Sequence, residues 1–134
     1  MWKTVTDRIH YILAGSTETP QIVLHEFAQS KDERVRQRVA ENPVAAPRTL
    51  VLLLEDKAAA VRTSLTHNPI LPGMFLDRLS EDQNPDVRYA IAESARTPIK
   101  LLEQLSTDEN PYVAHRAEQT LNRVKSIKVL SHAA

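Results

Sequence analysis

The chain has 134 residues, 17 basic side chains against 17 acidic ones, and no cysteine. Zero formal charge leaves no overall field to draw it to nucleic acid or an anionic membrane, and the missing thiols exclude disulfides, thiolate nucleophiles and Cys-ligated metal centres. The length is that of one domain, enough to bury roughly two-thirds of the surface its unfolded form exposes. The opening "MWKTVTDRIHYILAG" interrupts its apolar residues with Asp7, Arg8 and His10, so no secretory leader is expected. No stretch has the length of a membrane span, and the expectation is a soluble, cytoplasmic protein with no membrane partner.

In chain order, residues 2 to 14 read as an amino-terminal cap helix with Trp2, Val5, Ile9 and Ile12 or Leu13 on one side. Thr19-Pro20 reads as an N-cap followed by proline at the first helical position, opening a short helix with Leu24 and Phe27. A second helix carries Val35 and Val39 and ends at Asn42-Pro43, where asparagine takes the helix-terminating conformation. The pattern then recurs. Pro47 precedes Leu50 and Leu53, and Val61 and Leu65 lead to Asn68-Pro69. Pro72 precedes Leu76 and Leu79, and Asn84-Pro85 opens a helix with Val87 and Ile91. Thr97-Pro98 precedes Leu102 and Leu105, and Asn110-Pro111 opens a helix with Val113 and Ala117. Leu121, Val124, Ile127 and Leu130 keep helical spacing beyond it.

The period is 26 residues: Leu24, Leu50, Leu76 and Leu102 form one column and Val35, Val61, Val87 and Val113 another. Two-helix units of this length cannot persist alone in water and gain a core only by stacking. The expected fold is all-α, a right-handed α-solenoid of about four such units. Residues 1–18 form its amino-terminal cap, 19–122 the repeats and 123–134 a helical extension.

Arg36, Arg62 and Arg88 each follow a column valine, with Ser30, Asp56 and Asp82 six residues before them; the fourth unit keeps Asp108 but has Ala114. An aspartate at an inter-helix turn can accept from helix amino-terminal N–H groups and from a guanidinium of the adjacent unit, so these residues read as a structural ladder fixing the stacking register.

The segments "VRQRVAENPVAAPRTLVLLLED", "VRTSLTHNPILPGMFLDRLSED" and "VRYAIAESARTPIKLLEQLSTD" resemble the leucine-rich repeat variant, a relative of the HEAT and armadillo repeats, over about three-quarters of the chain. The resemblance implies a curved superhelix with a protein-binding surface, and leaves the first helix of each unit as either α or 3-10. Relatives include interaction scaffolds and a group of DNA-repair glycosylases with HEAT-like folds.

Catalysis is not expected. His10, His25, His67, His115 and His132 are scattered, "HEFAQ" lacks the second histidine of a zincin helix, and the only glycines, Gly15 and Gly73, form neither a nucleophile elbow nor a phosphate loop. No metal or cofactor is therefore expected. Lys31, Arg34, Arg36 and Arg38 cluster near one end and Arg116, Arg123, Lys125 and Lys128 near the other. The stripe is broken by Ala60, Asp86 and Tyr112, which makes nucleic acid the lesser reading.

The exposed positions of the second helices vary where the core columns do not: Arg34, Gln37 and Glu41; Ala60, Thr63 and His67; Asp86, Tyr89 and Glu93; Tyr112, His115 and Gln119. Variation on a fixed frame suits an irregular partner. The expected function is non-enzymatic binding of a protein or peptide across Tyr89, Tyr112, His115 and Arg116, with His67 and Arg34 further along the strip. Self-assembly through the apolar carboxy-terminal helix, giving a homodimer, is the other alternative.

Overall fold

The computed structural model describes residues 4–133, so Trp2 and the last residue of the carboxy-terminal extension lie outside the described residues. Among the described residues there are nine α-helices and no strand. The chain divides into two compact units, Met1–Pro72 and Gly73–Ala134.

The first unit contains α1 (Val5–Gly15), α2 (Gln21–Phe27), α3 (Glu33–Glu41), α4 (Pro47–Leu54) and α5 (Ala59–Leu65). Helices α1, α3 and α5 lie side by side, with α2 packed on α1 and α3 and α4 on α3 and α5. Leu24, Val35, Val39, Leu50, Leu53, Val61 and Leu65 are buried, while Phe27 is half-buried and stacks its ring 5.0 Å from that of His10. The second unit contains α6 (Gly73–Ser80), α7 (Pro85–Glu93), α8 (Ile99–Leu105) and α9 (Pro111–Ala133). Here α7 and α9 lie side by side, α6 packs on α7 and α8, and α8 on α7 and α9. Leu76, Leu79, Val87, Ile91, Leu102, Leu105, Val113 and Ala117 are buried. The first helices α2, α4, α6 and α8 are α-helical throughout, with no 3-10 segment.

Capping explains where these short helices start. Thr4 and Asp7 form a reciprocal capping box on α1. The Asp32 carboxylate accepts from the Arg34 backbone N–H at the start of α3, and Asn84 accepts from Asp86 N–H at the start of α7. Asn110 Oδ1 accepts from the backbone N–H groups of Tyr112 and Val113 at the start of α9.

Three sequence expectations need correction. Thr19 and Thr97 are not N-caps: α2 and α8 begin one residue later with Pro20 and Pro98 in the cap position. The threonine hydroxyls instead donate backward to the carbonyls of Leu13 and Ile91, six residues earlier. Asn42 does cap the carboxyl end of α3, but with φ −74° and ψ 117° it is extended and not left-handed, and no described residue has positive φ. Helix α5 ends at Leu65, before Asn68 is reached, with Thr66 in the cap position. The apolar residues Val5, Ile9, Ile12 and Leu13 of α1 share one side, as the sequence suggests, and are exposed there, while Ala14 is the buried residue of that helix.

Candidate partner-binding surface

Two sets of polar side chains hold neighbouring helices at fixed spacing. The first is the arginine ladder. In the first unit Arg36 Nε donates to Asp56 Oδ2 at 2.7 Å and Nη2 to Oδ1 at 3.2 Å, while Nη1 donates to the Ser30 carbonyl at 2.7 Å. In the second unit Arg88 makes the same fork to Asp108, at 2.8 and 3.0 Å, and Nη1 donates to the Asp82 carbonyl at 2.8 Å. Arg62 Nη1 donates to the Asp56 carbonyl, six residues before it, at 2.6 Å. Each aspartate also shapes the turn into a second helix: Asp56, Asp82 and Asp108 accept from the backbone N–H two residues on. The forks are planar, bidentate and almost fully buried, so each arginine fixes direction as well as distance.

This arrangement shifts proton affinities as expected for a tight pair. Hydrogen bonding to Asp56 and Asp108 holds the Arg36 and Arg88 guanidinium groups above their ordinary range. The Arg88 fork, aided by the Asn110 N–H and opposed by burial, holds the Asp108 carboxyl below its usual value.

The second set was not legible as such in the sequence. Asn42 Nδ2 donates to the carbonyls of Ala14 and Ser16, both at 2.9 Å, and its Oδ1 accepts from Val44 N–H. Asn68 repeats this one period on: Nδ2 donates to the Ala40 and Asn42 carbonyls, and Oδ1 accepts from Ile70 N–H. Each buried amide satisfies carbonyls at the end of the preceding second helix. The recurrence of asparagine at a 26-residue interval was the available signal. Gln21 bridges in the same manner, donating to the Val44 carbonyl and accepting from Ala46 N–H. His25 Nδ1 lies 2.9 Å from Thr49 Oγ1, which links α2 to α4.

On this frame the second helices carry their exposed positions. In the second unit Tyr89 on α7 is 38% exposed and Tyr112 on α9 78% exposed. Both line a groove of about 340 Å³ together with Pro85, Asp86, Asn110 and Val113. Two aromatic side chains and one exposed carboxylate converge there, with no nucleophile or paired acid and base. Such a lining offers contact area with polar handles. His115 is exposed one turn beyond Tyr112 and does not line the groove. Arg116 is half-buried and its Nη1 donates to Gln119 at 3.4 Å.

In the first unit His67 is exposed just beyond α5. Arg34 is bound to its own helix cap, Nε and Nη2 donating to Asp32 at 3.2 and 3.0 Å. Its guanidinium is therefore engaged locally. A further aromatic–cation contact went unread in the sequence: the Arg38 guanidinium lies 5.0 Å from the Tyr11 ring centroid and against the backbone of Gly15, where a Cβ would collide with it. Tyr11 and Tyr89 occupy the same column of the 26-residue period, which was the clue to it.

Among the described residues no group of three histidine or acidic side chains converges on a metal-sized site, and no helix is long and apolar enough to cross a membrane. No protein-family model, curated protein or solved structure matches the chain.

Proposed function

We propose that the chain is a right-handed α-solenoid of four 26-residue repeats, of the leucine-rich repeat variant type, that acts without catalysis as a scaffold for a protein or peptide partner. The period, the recurrent arginine forks and the recurrent asparagine bridges support the repeat reading, because each requires the same geometry at the same interval. The observation that carries the binding reading is the groove between Tyr89 and Tyr112. Its two aromatic anchors stand on helices whose separation is set by the buried Arg88–Asp108 fork, so little freedom remains to be lost on binding.

The test is capture of partners from the native cell, followed by affinity measurement with Tyr89→Ala, Tyr112→Ala and the double variant. The double variant should bind more than tenfold more weakly with little change in melting temperature, since Tyr112 is mostly exposed. Unchanged affinity sinks the assignment of this face.

A further inference from the structure

Helix α1 is the second helix of a unit whose first helix is not present among the described residues. Ile9 stands one period before Val35 in the valine column, and Leu13 one period before Val39. In α3, α5, α7 and α9 the residues of these two columns are buried. In α1 they are 48% and 41% exposed. The cause is local: α3 has α1 and α2 packed before it, whereas among the described residues α1 packs on α2 and α3, which follow it.

Two further positions on α1 depart from the period in the same direction. Val5 is 76% exposed and Ile12 58% exposed. The equivalents of Val5 in the later units, Lys31, Lys57, Gln83 and Glu109, lie in the turns before the second helices, and those of Ile12, on the helices themselves, are Arg38, Ser64, Ala90 and Arg116. Helix α1 thus begins earlier than its period, and at both positions it carries a branched aliphatic side chain where the later units carry polar, charged or alanine ones. Positions 5, 9, 12 and 13 lie on one face of the helix, so they form a single apolar stripe. Isolated exposed aliphatics need no explanation, but a contiguous stripe broader than the period requires marks a contact surface.

The opposite excess is found on α9. Its last buried apolar residue is Leu121, Val124 is half-buried, and from Lys125 the helix continues as an exposed tail to Ala133. Ile127 and Leu130 on that tail are 58% and 71% exposed, and their spacing of three is that of Leu24 and Phe27, Leu50 and Leu53, Leu76 and Leu79, and Leu102 and Leu105 in the first helices. Among the described residues, α1 thus exposes an apolar stripe of the kind that first helices cover elsewhere, and the end of α9 exposes an apolar pair at the first-helix spacing.

Charge selects between the possible pairings. Residues 119–133 include Arg123, Lys125 and Lys128 and no acid, so two tails repel one another. The α1 end, residues 4–18, carries Asp7 and Glu18 against Arg8.

We propose that the apolar stripe of α1 is covered by the α9 tail of a second copy of this chain, Ile127 and Leu130 seating on Val5, Ile9, Ile12 and Leu13. The contact continues the packing that each first helix makes on its neighbouring second helices within a unit. The contact joins unlike surfaces: two copies that exchange tails close an isologous dimer, and copies that do not close add further members in a heterologous chain. The proposal does not depend on the tyrosine groove, and Tyr89→Ala leaves assembly unchanged.

The test uses the full chain in sedimentation equilibrium, with a head variant (Val5→Asp with Ile12→Asp) and a tail variant (Ile127→Asp with Leu130→Asp). All four side chains are mostly exposed within the chain, so circular dichroism of both variants should match the parent. The parent should have a concentration-dependent mass of at least a dimer, each variant alone should be monomeric, and an equimolar mixture should form a one-to-one complex and nothing larger. A parent that is monomeric at all concentrations, a head variant that assembles like the parent, or a mixture that stays monomeric overturns the proposal. Because the chain has no cysteine, Ile12→Cys and Ile127→Cys chains can be mixed and oxidised without interference. Disulfides joining positions 12 and 127 should outnumber those joining 127 to 127; the reverse ratio also overturns it.

Discussion

Arg88 reaches from α7 to Asp108, twenty residues on, and closes a bidentate fork at 2.8 and 3.0 Å while its third nitrogen binds the Asp82 carbonyl. Each partner is about one-tenth exposed, so removing one leaves the other charged and desolvated. Arg88→Ala is expected to cost about 3–5 kcal/mol in urea unfolding. Replacing Arg88 by Met and Asp108 by Leu together should cost clearly less, because no orphaned charge remains.

The same pair makes stability depend on acid. The Asp108 carboxyl is held below its ordinary 3.8 by the Arg88 fork first, then by the Asn110 N–H. The folded state therefore binds the proton less readily than the unfolded chain. The stabilisation is fully present above the unfolded value and is lost as pH falls through the depressed folded one. Urea midpoints of the parent and Asp108→Asn should be furthest apart above the unfolded carboxyl value and should converge as pH falls through the depressed folded one. Parallel profiles would show that Asp108 is not the responsible group.

Asn68 offers a sharper test of the second set of bridges. Its amide donates to two carbonyls and its oxygen accepts one N–H, all buried or half-buried. Asn68→Ala should destabilise by about 2–4 kcal/mol, since three backbone groups lose their partner at once. Asn68→Asp should not restore the loss, because a carboxylate facing two carbonyls has nothing to donate. Chemical denaturation of both variants checks this.

Thr120 stands in the asparagine column, three units after Asn42, but lies inside α9 and its buried hydroxyl has no hydrogen-bond partner. Thr120→Val keeps the shape and removes the unsatisfied oxygen, and should raise stability by about 1 kcal/mol, read as a higher melting temperature. A fall in stability would mean that the hydroxyl is satisfied in solution.

The apolar columns were legible because packing admits few substitutes: Val35, Val61, Val87 and Val113 recur as valine and are all buried. The exposed tyrosines were legible for the converse reason, since nothing in the core forces position 89 or 112 to be aromatic. What the sequence hid were side chains with two plausible uses. Asn42 before a proline reads as a helix terminator, which it is for α3, and nothing local shows that its amide also serves helix α1, 28 residues earlier. Thr19 before a proline reads as an N-cap, yet it donates backward to Leu13. Arg34 reads as a free cation, and only the fold shows it folded onto Asp32. In each case the local pattern allows both outcomes, and the position of a neighbouring backbone group decides between them. The column membership of Ile9 and Leu13 was present in the period as well, but reading α1 as a terminal cap concealed it.

The side-chain bridges between helices join residues 20 to 28 positions apart, from Arg36–Asp56 to Asn42–Ala14. Loop-closure entropy grows only with the span being closed, so every such bridge faces nearly the same entropic barrier wherever it lies in the chain. A nascent polypeptide can therefore form each bridge once the two neighbouring hairpins that it joins have left the ribosome, without waiting for its carboxy terminus. Cutting or duplicating the gene at 26-residue intervals should likewise alter how many hairpins are made while leaving the rate of forming each one nearly unchanged.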